Sequence, residues 1–460
     1  MNSKTYSDRR KELRKNIKNG AILLLGLNEA SRNYLANAYP FRQDSHFLYY
    51  TGINLPNTAL VLLSNGQEIL FGTIDTMDDI IWTGPRSTLS QNAEAAGISR
   101  AEDILLLSKV LSDLISHGET IHYLPPYRAE QTFKLAAYLD MPIAKVPSGA
   151  SEELIYAISR QRSIKTDDEA AEIEDALTVS KLMYQTALQN IKPGKIEAEI
   201  AGLIQGVALS KNCAQAFLPI VSIHGEVLHN NYYGNIMKEG DILVIDAGAE
   251  SPHFYASDIT RAFPVSGQFT LQQKEIYQIV LDAQLAVISA ASPQKTNRDL
   301  HLLAARTITA GLKEVGLMKG DIQEAVDQGA HALFFPHGIG HMLGLDVHDM
   351  EDLGDAVGYA PGETRSAQFG LSFLRLARKL EPGFVITVEP GIYFIPPLID
   401  LWESEKKHEA FINYSLLSRY RNFGGIRIED NILITNNSCR VLGSGIPKTI
   451  NEIEGEMKKN

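Results

Sequence analysis

Cysteine is nearly absent: Cys213 and Cys439 are the two in 460 residues. A count this low excludes a disulfide framework and a cysteine-based zinc site, and it points to a reducing compartment. Long apolar runs are missing too. The first of them, Ala21-Ile22-Leu23-Leu24-Leu25, follows a highly charged stretch and is too short for a membrane span or a signal core. Positive charge is in deficit, and the formal net charge of −12 argues against a nucleic-acid partner. No low-complexity tract or extended linker interrupts the chain. These absences predict a cytoplasmic protein with no membrane and no nucleic-acid partner. The length predicts roughly two to three domains.

What is present begins as an α/β pattern. Residues 21–27, 58–63 and 68–71 read as buried strands, with a Ser64-Asn65-Gly66 turn between the last two. Helical patterns follow near 90–96, 101–116 and 129–139. Residues 41–52 mix polar and aromatic side chains. They fit a binding edge, a domain interface or an aromatic-lined core strand, and Arg42, Asp44 and His46 alone support no catalytic role. Pro147-Ser148-Gly149 closes this part, and the boundary is placed between residues 164 and 165. A long amphipathic helix then carries Ile173, Leu177, Met183, Tyr184 and Leu188 at helical spacing until Lys192-Pro193-Gly194 stops it. A second helix is expected over 197–211, a strand over 217–221, and two further helices over 271–290 and 298–315.

One pattern occurs twice. Gly240 to Gly248 runs glycine, mostly apolar strand, Asp246, one residue, glycine; Gly383 to Gly391 repeats it around Glu389. The match predicts a duplicated half-domain. Two more acids sit in similar surroundings: Asp258 opens the strand after Asp246, and Glu429 lies within Gly425-Ile426-Arg427-Ile428-Glu429. A hairpin would bring Asp246 and Asp258 to one face. An isolated buried carboxylate is costly unless something compensates it. For any single one, an arginine or a turn amide would serve. For four together, a shared site is the simpler account. Four carboxylates balance two divalent cations, and an oxygen-rich donor set with one imidazole suits Mn²⁺ or a similar ion.

The imidazole is offered by residues 337–349, which hold His337, His341 and His348 among Gly338, Gly340 and Gly344. Neutral histidine is a common metal ligand and proton carrier. The helical metalloprotease motif does not fit here, because no glutamate follows His337 and the glycines disfavour a helix.

With these pieces together, the chain resembles the pita-bread metallopeptidases: prolidase, aminopeptidase P, methionine aminopeptidase and the non-metal creatinase. The histidine stretch carries the likeness, together with Phe41-Arg42-Gln43-Asp44-Ser45 and the Val-Glu-Pro-Gly segment at 388–391. The resemblance implies an α+β fold, with duplicated αβ halves around a curved antiparallel sheet over 165–460 and a smaller α/β N-terminal domain over 1–164. It implies two divalent metal ions, Mn²⁺ first and Co²⁺ or Zn²⁺ as alternatives, held by Asp246, Asp258, His341, Glu389 and Glu429. It further implies that a metal-bridging hydroxide attacks the carbonyl before proline, with Glu389 as general base. His229 and His348 would contact the scissile peptide or its oxyanion, and His337 would line the proline pocket. Arg375 matches the arginine with which prolidases hold a dipeptide's C-terminal carboxylate; a helix-surface cation is the alternative. Arg427 shares a face with Glu429 and would contact substrate or a metal ligand.

The long interval between Glu389 and Glu429 looks like prolidase, so the expected activity is Xaa-Pro dipeptidase. Xaa-Pro aminopeptidase is the alternative, and a non-catalytic binding module of the same fold the remote one. A homodimer is expected by analogy. Two departures from the family pattern fall near Ser251-Pro252-His253, where a bulge or longer turn must absorb one extra residue, and over 222–234, on the substrate side.

Overall fold

The computed structural model describes residues 1–443 and 445–459. Among them the chain forms two compact units: Met1–Arg162 with Met350–Val357, and Ser163–Asp349 with Gly358–Asn460.

The first unit is built on a five-stranded mixed sheet in the order β4-β3-β2-β1-β5, with β1 Ala21–Leu25, β2 Ala59–Leu62, β3 Glu68–Gly72, β4 Ala101–Asp103 and β5 Ile121–His122. Apolar runs become buried strands, as expected, and Leu23, Val61, Ile69 and Phe71 pack with Leu107, Leu111 and Leu135 of covering helices. Two local expectations fail. Residues 101–103 pair with β3 as an edge strand, so the helix expected over 101–116 starts only at Leu107. Residues 41–52 contain a helix, Ser45–Thr51, and no core strand. Asp44 accepts from the Phe47 N–H as its N-cap, and Gly52, at φ +67°, ends it. Within this unit His46 Nε2 lies 2.9 Å from Asp352, in the short returning segment.

The second unit carries the duplication. Helices Asp167–Asn190, Leu271–Ala290 and Asn297–Glu314 each start at a capping box, set by Thr166/Glu169, Thr270/Gln273 and Thr296/Asp299. The paired strands are β7 Ile220–Ser222, β8 Ile242–Ala247 and β10 Ile259–Pro264 in one half, and β11 Val385–Val388, β14 Asp430–Ile434 and β15 Cys439–Val441 in the other. Ladders β6 Ala214–Gln215 with β9 Ala249–Glu250, and β12 Gly391–Tyr393 with β13 Gly425–Arg427, complete it.

The halves match in detail. Ile196 and Thr296, each just before its helix, bridge Ile236 and Lys379, both four residues ahead of the motif glycines Gly240 and Gly383. The next N–H groups, of Glu197 and Asn297, donate to the carbonyls of Asn235 and Arg378 at 3.1 and 3.0 Å. The repeated motif is therefore a repeated piece of backbone.

Candidate active site

Each acid is placed by a strand. On β8, Asp246 pairs with Thr260 of β10, so the expected hairpin forms and brings Asp258 beside Asp246. Between them the chain turns at Ser251–Tyr255, closed by N–H to O bonds at 2.8 Å, with Phe254 at φ +71°. Asn431 holds the Asp258 backbone from both sides, at 3.1 and 2.6 Å. Glu429, between β13 and β14, donates its N–H to the Thr260 carbonyl at 3.0 Å.

Strand parity then sorts the polar side chains. Thr260 and Glu429 turn to the site, where Thr260 Oγ1 donates to Glu429 Oε2 at 2.7 Å. Their neighbours Arg261 and Asp430 turn away and pair with each other at 2.7 Å. Burial alone would raise the Asp430 carboxyl, yet Arg261 and Lys448 hold it at about 2.

The histidine stretch runs beside β11 as an irregular edge. The N–H groups of Leu343, Thr387 and Glu389 donate to the carbonyls of Val385, His341 and Ile339 at 2.9–3.0 Å. Glycine makes this approach possible: a Cβ at Gly340 would lie 2.1 Å from the Thr387 carbonyl oxygen. His341 is thereby set 3.4 Å from Asp258 and 3.6 Å from Glu389 through its Nε2. Its Nδ1 lies 2.9 Å from the Met342 carbonyl, which can only accept, so that nitrogen carries the proton. In the neutral ring the Nε2 lone pair then faces carboxylates.

These donors fit a metal. One atom each from Asp258, His341 and Glu429 lie within 4.8 Å of one another. Among the described residues, Asp246 Oδ1, Asp258 Oδ1 and Glu429 Oε1 are buried with no hydrogen-bond partner. Burial, reinforced by the neighbouring carboxylates, pushes Asp258 and Glu429 well above the ordinary carboxylate range. Lone pairs converging without protons or cations repel, and a divalent cation removes both the repulsion and the unsatisfied acceptors.

The remaining predicted residues line one cavity of about 740 Å³ with the acids: His229, His337, His348, Arg375 and Arg427 all border it. The His348 ring stacks on His341, 3.8 Å between centroids. Arg427 is buried and donates to Asp246 at 2.5 Å, Thr260 at 3.1 Å and Tyr393 at 3.0 Å. Burial opposes its charge, but Tyr393, Asp246 and Glu389 outweigh that and raise its pKa. Arg375 is exposed and sits in irregular chain after Leu371–Phe373, not on a helix.

Several contributors were not anticipated. Tyr393 donates its hydroxyl to His337 Nε2 at 2.8 Å, while His337 Nδ1 meets the Gly338 carbonyl at 2.8 Å. This fixes His337 as a neutral tautomer, and burial, with Arg427 next, lowers its pKa to about 3. The Tyr393 ring lies over Gly425, where a Cβ would come within 2.6 Å of it. Thr260 was readable, since it shares the parity of Asp258 on one strand. Lys165 stands just before the acidic start of a helix; its ammonium meets Asp349 at 2.8 Å, with both side chains 1 % exposed.

Behind His337, across Phe335, lie His301 and His331, both fully buried with no hydrogen-bond partner on either ring nitrogen among the described residues. Burial, aided by His331, drops His301 to about 3; burial, aided by His408, drops His331 to about 4. The unfolded chain protonates them near 6.5. Their contribution is therefore fully present above pH 6.5 and is lost as pH falls through that window. Each histidine is expected to cost on the order of 2 kcal/mol of stability between pH 6.5 and 5. Urea unfolding at the two pH values checks this: His301→Phe must flatten the acid loss, and an unchanged slope contradicts it.

Comparison with known proteins gives a consistent assignment. The model of metallopeptidase family M24 matches residues 171–436, and the aminopeptidase P N-terminal domain model matches residues 6–122. The chain is 38% identical over 450 residues to a Mus musculus Xaa-Pro dipeptidase, covering 95% of this chain and 88% of that protein. It is 32% identical over 450 residues to a Haemophilus influenzae Xaa-Pro aminopeptidase, covering 95% and 93%. A variant of Escherichia coli aminopeptidase P solved with substrate superposes with a TM-score of 0.83 at 29% identity, over 100% of this chain and 99% of that one.

Proposed function

The chain belongs to metallopeptidase family M24 and is an Xaa-Pro peptidase of that family, and from this premise we propose that it is a prolidase, a two-metal exopeptidase with Xaa-Pro dipeptides as preferred substrates. The observation that carries the reading is the set of orphaned oxygens on carboxylates that line a cavity together with Arg375. In this reading Asp246, Asp258, His341, Glu389 and Glu429 hold the ions. Bound there, divalent cations would polarise the scissile carbonyl and acidify water.

The chain's own groups do the rest. Arg427 orients Asp246, and Thr260 orients Glu429, so the donor set is built before any ion arrives. Glu389, half-buried at the cavity, takes a proton from the attacking water as it adds to the carbonyl carbon. As the carbon–nitrogen bond breaks, that proton passes to the proline nitrogen. His229 and His348 donate to the oxygen on which charge develops. Neutral His337, held by Tyr393, lines the ring pocket. Arg375 takes the substrate's C-terminal carboxylate through a charge-assisted fork. The reading includes Mn²⁺ as the resident ion, supported by the oxygen-rich donor set. It also includes a homodimer in the cytoplasm, the latter supported by two free cysteines.

The test compares an Xaa-Pro dipeptide with an Xaa-Pro-Xaa tripeptide, on wild type and Arg375→Ala. The dipeptide is expected to be preferred, and the substitution to lower its kcat/KM by about 10–100-fold, through KM. Equal rates on the longer peptide would instead favour Xaa-Pro aminopeptidase, a reading supported by the likeness to aminopeptidase P structures.

A further inference from the structure

The cavity's arginine-bearing wall is one folded-back segment, residues 358–378. Its two limbs are tied together: the Gly358 carbonyl accepts from the N–H groups of Ala377 and Arg378 at 2.8 and 2.9 Å. A Cβ on Gly358 would fall 1.8 Å from the Arg375 carbonyl oxygen, so only glycine lets the limbs meet. Tyr359 then donates its hydroxyl to the Leu374 carbonyl at 2.6 Å, one residue from Arg375. The Arg365 guanidinium sits over the Tyr359 ring, 5.6 Å from its centroid. A single tyrosine therefore connects Arg365 to the chain that carries Arg375. Both arginines border the cavity, as do Phe369 and Phe373 from the stretch between them. The third cavity arginine, Arg427, is buried among Asp246, Thr260 and Tyr393. The cavity lining thus joins the carboxylates to two exposed arginines of this segment.

We propose that Arg365 is a second cationic arm for the substrate's C-terminal carboxylate, acting with Arg375 and held in register by Tyr359. This rests on the dipeptidase reading above and names the residues that set it. A carboxylate offers two oxygens with about four acceptor directions, more than one guanidinium fork fills. Two arms would enforce a free carboxylate directly after proline. A longer peptide replaces that charge with a neutral amide, which neither arm can pair with as an ion. The cation–π contact with Tyr359 restricts the Arg365 side chain before substrate arrives, which reduces the ordering cost on binding.

The experiment measures kcat and KM of the metal-loaded enzyme for an Xaa-Pro dipeptide and for its C-terminal amide, in wild type, Arg365→Met, Arg365→Lys and Arg375→Ala. Wild type is expected to favour the acid over the amide by ~10-fold or more. Arg365→Met should shrink that ratio by at least about fivefold, through KM for the acid, and Arg365→Lys should restore part of it. An unchanged ratio in Arg365→Met, with Arg375→Ala collapsing it, overturns the proposal. So does an equal loss on acid and amide, which would mean a structural role. A wild type that cleaves acid and amide equally also overturns it, while leaving Xaa-Pro cleavage itself intact. A wild type that cleaves no Xaa-Pro substrate sinks the parent reading, and this one with it.

Discussion

Glu429→Gln is expected to lower Xaa-Pro hydrolysis by about 10³-fold or more, the effect of losing several kcal/mol of electrostatic stabilisation at the reacting carbonyl. Glu429 is 1 % exposed, one oxygen is held by Thr260, and the other has no partner among the described residues. Glutamine keeps the shape and the acceptor for Thr260, but it offers no charge to an ion. Without metal, burial and the adjacent Asp258 already favour the protonated Glu429 carboxyl. The variant should therefore be no less stable than metal-free wild type. It should lose most of the rise in Tm that added Mn²⁺ gives wild type, because binding to the folded state alone is what stabilises. A variant that keeps full activity, or gains Tm with Mn²⁺ as wild type does, contradicts the assignment of Glu429 to the ions.

Lys165→Met is expected to destabilise the second unit by about 3–5 kcal/mol, because it takes the ammonium away from a buried carboxylate. Asp349 follows His348 directly and organises its loop. One carboxylate oxygen meets Lys165 at 2.8 Å and the other accepts from the Asp346 N–H at 3.3 Å. The Asp349 N–H closes on the Met342 carbonyl at 3.0 Å, and Gly344 leaves the room for its carboxylate, since a Cβ there would fall 2.5 Å from it. Removing both charges together should be far milder: Lys165→Met with Asp349→Leu is expected to recover much of the stability. Urea unfolding of the three proteins measures this. A double variant as unstable as the single one would show that packing, not the buried charge, sets the loss. Activity should still fall in the double variant, since the Asp346 contact that shapes the loop is gone.

These two residues show where sequence reading works and where it stops. Glu429 was legible because its surroundings are local: a carboxylate inside an apolar strand is an anomaly visible in a few consecutive residues. The same holds for Asp246 and Glu389, whose motifs repeat, and the matched bridges at Ile196 and Thr296 give that repeat a structural basis. Lys165 was not legible as a partner. A lysine before an acidic helix start looks solvated, and nothing near it points to a residue at position 349. Tyr393 was hidden for a related reason, since its contact with His337 and Arg427 depends on the β12–β13 register. The helix at Ser45–Thr51 was missed because its apolar residues are buried all round, which leaves no amphipathic period to read. Arg365 lies in irregular chain, where spacing carries no geometric information.

The most direct test of the central claim is Xaa-Pro dipeptide hydrolysis by protein stripped with a chelator and then titrated with Mn²⁺. The carboxylate cluster predicts near-zero turnover after stripping and recovery that saturates at about two ions per chain, one for each pair of carboxylate charges. Full activity in the stripped protein, or none at any metal loading, would contradict it.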